Sequence, residues 1–277
     1  KSGSIVSPEL PIEFINTGEL DIKTTYVLPV TIKSVEGIGV LQSAKTYYYV
    51  FRGASLINVV CNISRNRAYP DFKNDSKFNN LTENTMEILF KANSFPNTLN
   101  TLMGIESNYL LRIGDATIPN NQLQVATSVN NCTSADLQLE SGKWYHVAVA
   151  FNKGNVKVYI NGVEKLSGST GKSSVSLGAK HTNEEDGSRC FWVGYSYKDD
   201  RYFDGVVSEV RIWNRALTAE EIQATNHFYT IEPESEGLIA YWKFDEGSGT
   251  VAKDYSVSGY DLTIEKEPKW ESVSLPQ

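Results

Sequence analysis

Gly142-Lys-Trp-Tyr-His-Val-Ala-Val-Ala-Phe151 and, three residues on, Asn155-Val-Lys-Val-Tyr-Ile-Asn-Gly162 read as two β-strands joined by a tight turn. In the first, Tyr145, Val147, Val149 and Phe151 fall on one face and Trp144, His146, Ala148 and Ala150 on the other, because side chains alternate along a strand. Both faces are mostly apolar, so this strand is expected to be covered on both sides. In the second, Val156, Val158 and Ile160 share a face, and Asn161-Gly162 supplies the two positive-φ residues of a type I′ turn before Val163.

Outward from this hairpin, short apolar runs alternate with Asn, Gly, Ser and Asp clusters, the pattern of an all-β chain. Strands are predicted at 26–32, 46–52, 55–63, 85–91, 101–105, 109–113, 122–127, 191–195, 205–213 and 238–244. Thr218-Ala-Glu-Glu221 is a capping box leading into Ile222 and Ala224, which predicts one helix of about two or three turns. The expected fold is an antiparallel β-sandwich of the jelly-roll type. A boundary is placed near Gly53. Residues 1–53 hold about three strands, too few for a core of their own, and 54–277 suffice for one large jelly roll.

With 26 Lys and Arg against 33 Asp and Glu, the formal charge of −7 argues against general affinity for nucleic acid or anionic membrane and points to a neutral partner. The longest apolar run, from Trp144 to Phe151, is far short of the ~20 residues that span a bilayer. The opening Lys-Ser-Gly-Ser carries no apolar leader, so the chain is expected to be either cytosolic or a form from which a leader has been removed. Cys61, Cys132 and Cys190 form no Cys-x-x-Cys pair, and His146, His181 and His227 lack zinc-type spacing. The cysteines read as small buried hydrophobes, although one Cys and one His could still meet in space as a catalytic pair.

The 142–162 blocks resemble the central hairpin of laminin-G-like jelly rolls in the concanavalin A-like lectin/glucanase superfamily. Phe203-Asp-Gly-Val-Val-Ser-Glu-Val-Arg-Ile-Trp-Asn-Arg-Ala-Leu-Thr-Ala-Glu-Glu-Ile222 is similar to that family's closing strand and short helix. Gly237-Leu-Ile-Ala-Tyr-Trp-Lys-Phe-Asp-Glu-Gly-Ser-Gly249, with Asp254 behind it, resembles a block that opens the domain in most relatives. Its late position means that the segment either closes the same sandwich from the other end or begins a second jelly roll; closure is expected, because about forty residues cannot form a second sandwich. Tyr26-Val-Leu-Pro-Val-Thr-Ile32 and Lys45-Thr-Tyr-Tyr-Tyr-Val-Phe51 resemble the end of a β-sandwich domain that precedes laminin-G-like domains in gut bacterial surface lipoproteins. That resemblance implies export to the periplasm or cell surface, with a lipid-anchored cysteine upstream of Lys1 as the one link to a membrane.

The superfamily holds glycan-cleaving enzymes and pure binders, so residues must decide between them. Family enzymes place their carboxylates on one strand as Glu-x-Asp-x-Glu; the nearest string here, Glu184-Glu-Asp186-Gly-Ser188, lacks the second Glu and reads as a solvated loop. An acid/base pair could instead be drawn from separate strands, among Glu87, Glu106 and Glu209. His146 reads as a core residue, and Glu209 with Arg211 as an ion pair along the sheet surface. Asp245-Glu246, Gly247-Ser-Gly249 and Asp254 could supply calcium oxygens, although a plain turn explains them as well.

The stretch that favours binding is Trp192-Val-Gly-Tyr-Ser-Tyr-Lys-Asp-Asp-Arg-Tyr-Phe203. Sugar C–H faces stack on aromatic rings and sugar hydroxyls need donors and acceptors; Tyr195, Tyr197, Asp199, Asp200, Arg201 and Tyr202 offer both. Phe191, Val193 and Tyr195 are expected on one strand face and Trp192, Gly194 and Ser196 on the other. The expectation is a non-catalytic carbohydrate-binding module whose partner is an oligo- or polysaccharide. The alternatives are a glycoside hydrolase or lyase on the same fold and a protein-adhesion module.

Overall fold

The turn at Asn161-Gly162 forms as the sequence predicts, with φ of +49° and +76°, and Lys153-Gly154 turns the same way at +47° and +95°. Two consecutive tight turns therefore set three strands side by side. The computed structural model describes residues 12–15, 20, 24–37, 39, 41–52, 55–181 and 189–276. It divides into two units, Lys1–Leu56 with Pro276–Gln277, and Ile57–Leu275.

In the smaller unit β1 (Thr25–Thr31) pairs antiparallel with β2 (Thr46–Arg52), in a register that sets Tyr26 opposite Phe51 and Leu28 opposite Tyr49. The ring of Phe14 packs on Tyr49 and Phe51. These are the two strands found among its described residues, against about three expected.

The larger unit runs β3 (Ile57–Asn62), β4 (Ala68–Pro70), β5 (Glu83–Ala92), β6 (Asn100–Ile105), β7 (Tyr109–Asp115), β8 (Ile118–Thr127), β9 (Asn131–Cys132), β10 (Trp144–Asn152), β11 (Asn155–Ile160), β12 (Val163–Ser169), β13 (Trp192–Val193), β14 (Gly205–Trp213), α1 (Ala219–Ile222), β15 (Leu238–Trp242), β16 (Val251–Ala252), β17 (Leu262–Ile264) and β18 (Lys269–Leu275). One sheet has the order β12-β11-β10-β5-β14-β3-β18, with β15 joined to β14, and the other β16-β17-β4-β13-β6-β7-β8-β9. All pairings are antiparallel. Between the sheets lies one apolar core, with Phe90, Val147, Val149, Val207 and Ile212 from the first meeting Leu111, Ile113, Leu123, Val125 and Val193 from the second. The 237–277 block closes this same sandwich: β15 and β18 join the first sheet, β16 and β17 the second.

The capping box at Thr218 is complete, with Glu221 reaching back to the Thr218 backbone. The helix it starts is only Ala219–Ile222, one turn and not two or three. Asn226, at φ +63°, turns the chain away four residues later. That short helix and the chain after it cover the outer face of the first sheet, where Leu217, Ile222, Phe228 and Ile231 pack on Ala148, Ala150, Tyr159, Trp213 and Tyr241. Both faces of β14 are consequently buried along all nine residues. A bulge at Glu209 (φ +49°) shifts its register against β5, turning Val210 and Ile212 into the core and Arg211 and Trp213 under the cover.

Candidate functional site

The Tyr-rich loop is built from the end of β13 onward. Gly194 has φ +80°, and a Cβ there would press on the Ile63 side chain at 3.1–3.3 Å, so the position takes glycine and the strand stops. This breaks the expected alternation. Phe191 and Val193 enter the central core, but Tyr195 packs edge-on to Trp192 at 5.2 Å and against Tyr202 at 4.9 Å. The Arg67 guanidinium, paired with Glu265, lies 4.9 Å from the Trp192 ring and 4.5 Å from the Tyr195 ring. Tyr195 is 2% exposed and offers no ring face to a ligand.

The rest of the predicted set sits further out. Tyr197 is half-buried, with the Arg189 and Arg201 guanidiniums 4.8 and 5.2 Å from its ring and the Lys198 ammonium at 5.4 Å. Arg201 is 3.5 Å from Asp200 and 3.8 Å from Glu106, which also lies 3.8 Å from Arg112. Asp200 is exposed, Arg201 and Tyr202 half-buried, and the Asp199 side chain lies outside the described residues.

Two clefts flank this loop and share Pro96 and Asn97 as a common wall. One, of about 560 Å³, is lined by Ser64, Arg65, Tyr202, Phe203, Asp204 and Lys266. The other, of about 450 Å³, is lined by Thr98, Leu99, Asp115, Ala116, Asp200 and Arg201. Their walls are tied together. Asn97 donates to the Tyr202 carbonyl at 3.0 Å, Asn100 to the Asn97 carbonyl at 3.0 Å, and Asn120 to the Phe95 carbonyl at 2.7 Å. Asp204 accepts from Ser64 at 2.8 Å and Ser94 at 2.5 Å. Burial alone would push its carboxyl up; the hydrogen bonds from Ser94, Ser64 and Asn93, with Arg65 nearby, hold it below the ordinary range. The groove is thus pre-formed, with aromatic, amide, hydroxyl and charged groups at its surface.

A third groove, of about 660 Å³, lies on the other sheet and is lined by Lys153, Lys157, Tyr159, Thr218 and Glu220 among others. Its one aromatic, Tyr159, is 2% exposed.

The structure corrects the reading of Glu209 and Arg211 as a surface pair. Both are buried, and Arg211 bridges Glu209 and Glu87 while donating to the His227 carbonyl at 2.6 Å. Glu87 takes the Trp213 indole N–H at 2.7 Å on one oxygen and has His227 Nε2 at 2.7 Å and His146 Nε2 at 3.4 Å from the other. Tyr241 donates to Glu209 at 2.7 Å. Burial opposes ionisation of Glu87, but His146, His227 and the Arg211 charge outweigh it and hold the carboxyl well below the usual range. For Glu209 burial wins over Arg211 and Tyr241, and its carboxyl is raised.

The spacing of the histidines gave no sign that His146 and His227 would meet, yet their ring nitrogens and a Glu87 oxygen all lie within 4.8 Å of one another. Three ligand atoms could in principle hold a metal ion. Here Arg211 supplies the positive charge and His227 closes on Glu87, which makes the group a buried ion cluster; within it both ring nitrogens of His146 and Nε of Arg211 make no hydrogen bond. As expected, His146 is a core residue, 1% exposed and stacked on Phe228 at 4.5 Å.

Of the three carboxylates proposed for catalysis, Glu87 and Glu209 are sealed in this cluster. Glu106, which follows β6, lies with Arg112 and Arg201 on the other sheet. The 184–188 string lies outside the described residues. Asp254 spends both oxygens on the backbone N–H groups of Tyr241, Ser256 and Tyr260 at 2.8–3.0 Å, the work of a turn. All three cysteines are buried, as expected. Cys190 and His181 do meet, at 3.3 Å, but the thiol is 1% exposed and Tyr69 stacks on the imidazole.

A family model described as the concanavalin A-like lectin/glucanases superfamily matches residues 66–223. The chain is similar to the crystal structure of a candidate carbohydrate-binding protein from Bacteroides ovatus, with 26% identity, TM-score 0.68, and coverage of 92% of this chain and 70% of that one. It also matches a heptameric pentraxin from Limulus polyphemus (15% identity, TM-score 0.43, 63% and 83% covered). A third match is domain 4 of an extracellular arabinanase from Geobacillus stearothermophilus bound to arabinotriose (19%, 0.43, 78% and 91%). No curated protein matches the chain. With the family model spanning more than half of its 277 residues and the sandwich formed as that fold requires, the chain belongs to the concanavalin A-like lectin/glucanase superfamily.

Proposed function

We propose that this chain is a non-catalytic carbohydrate-binding module of an exported, surface-anchored protein, and that it holds an oligosaccharide in the groove around Pro96, Asn97 and residues 200–204. The observation that carries this reading is the pre-formed double cleft, in which Tyr202, Asn97, Asp200 and Arg201 meet on walls fixed by hydrogen bonds. Pre-organised walls lower the ordering cost of a ligand whose hydroxyls need several directed partners. The Bacteroides ovatus relative, a candidate carbohydrate-binding protein that matches 92% of the chain, supports the same ligand class. The burial of Glu87 and Glu209 supports the non-catalytic part, since neither carboxylate is open to a sugar.

An open groove of this kind corresponds to a Kd of about 10⁻³–10⁻⁵ M, or roughly 4–7 kcal/mol. A glycan array with the purified chain tests the reading. Retention of a group of related glycans without their cleavage is the expected result, and a blank array or progressive cleavage of a retained glycan contradicts it.

A further inference from the structure

The net charge of −7 averages over a surface on which the larger cleft is an exception. Its lining includes Arg65 and Lys266, both exposed and neither in an ion pair among the described residues. The one carboxylate in the lining, Asp204, accepts from Ser64, Asn93 and Ser94 and also feels the Arg65 charge, so the lining carries two cations against one anion. The two cations are also held at fixed backbone positions. Buried Asn66, next to Arg65, donates to the Lys266 carbonyl at 2.7 Å and accepts from the Lys266 N–H at 3.1 Å. Arg65 itself sits at φ +52°, a left-handed conformation that disfavours any side chain with a Cβ. That conformation belongs to the turn closed by the Asn66 N–H on the Ile63 carbonyl at 2.9 Å, which fixes the Arg65 backbone at the cleft.

Resting on the glycan-binding reading, we propose that the ligand is an anionic glycan, with a carboxylate or sulfate held between Arg65 and Lys266 and its sugar ring beside Tyr202. The guanidinium offers paired donors to such an oxyanion, and the ammonium adds a point charge.

The test is isothermal titration of the full chain with three oligosaccharide probes: galacturonan oligomers, sulfated galactan oligomers and neutral galactan oligomers. At least one anionic probe is expected to bind more than about tenfold tighter than the neutral one, and which of them does so identifies the anionic group. Raising the salt from about 50 to 500 mM should weaken that binding, since exposed charges are screened. Arg65→Gly is the decisive variant because it relieves the backbone strain: its midpoint of unfolding should hold or rise while affinity for the anionic probe falls about fivefold, and Lys266→Gln should act in the same direction. Equal binding of neutral and anionic probes, unchanged in both variants, would overturn the charge assignment and leave glycan binding standing. No heat with any of these probes, together with a blank glycan array, would overturn both.

Discussion

Replacing Arg211 by Met leaves two carboxylates without their cation in a fully buried setting, and this makes its cost calculable in sign and scale. Arg211 and Glu87 are 0% exposed and Glu209 is 2% exposed, so water cannot take over the lost contacts. The guanidinium contacts both carboxylates, donates to the His227 carbonyl and lies 5.2 Å from the Tyr241 ring. Removing one partner of a buried ion pair costs about 3–5 kcal/mol, most of it the penalty of the charge left behind. Arg211→Met should fall in that range. All five tryptophans, Trp144, Trp192, Trp213, Trp242 and Trp270, belong to the larger unit, so urea unfolding followed by their fluorescence reports the unit that holds the cluster. The diagnostic is the second substitution. Glu209→Gln alone should destabilise, because it removes the negative charge that pairs with Arg211; in the Arg211→Met background it should restore about 1 kcal/mol or more by removing a stranded charge. A cost below about 1 kcal/mol for Arg211→Met, or simple additivity in the double variant, would refute the cluster as a charge-compensated unit.

The same cluster sets a pH dependence. Burial holds the His146 imidazole below its ordinary value of 6.5, so the unfolded chain takes up a proton there that the folded chain refuses. Stability should therefore fall as pH drops below 6.5, by at most about 1.4 kcal/mol per unit, until the folded imidazole itself titrates. Glu87, held below 4.5, extends the loss at lower pH, whereas the raised Glu209 opposes it. Urea midpoints at pH 7 and 5.5 should differ less in His146→Phe than in the wild type, and an unchanged difference would count against this assignment. Thr218→Ala removes the hydroxyl that caps α1 and should cost about 1 kcal/mol in the same assay, a neutral result meaning that Leu217 and Ile222 alone hold that turn. Asp254→Ala strands the backbone N–H groups of Tyr241, Ser256 and Tyr260 and should cost about 3 kcal/mol or more, with Asp254→Asn milder; equal, small effects would show that water replaces the carboxylate.

The hairpin at 144–162 was legible because its information is local: period-two alternation and an Asn-Gly turn at fixed spacing. Strands such as β4, β9 and β16 escaped because two or three residues carry no period. The burial of β14 on both faces was hidden, because it depends on where residues 214–236 fold back. The meeting of Glu87 with His227, 140 residues apart in sequence, likewise follows from sheet order and a bulge at Glu209, neither visible in a local window. At the candidate site the aromatic and charged content of 195–202 was readable. The position of Tyr195 was not, because Gly194 ends the strand and rotates the next residue to the side of Trp192. Arg65, Asn97 and Lys266 were missed altogether, coming from three separated loops that only the fold assembles.

The most direct test of the central claim compares the two sides of the sandwich. A glycan retained on the array would be titrated calorimetrically into the wild type, into Tyr202→Ala and Asp200→Ala in the double cleft, and into Lys157→Ala and Glu220→Ala in the groove on the opposite sheet. The account predicts that the first two substitutions each weaken binding by about fivefold or more while the second two leave it within error. Loss of binding on the Lys157 side with the Tyr202 side unaffected would contradict it.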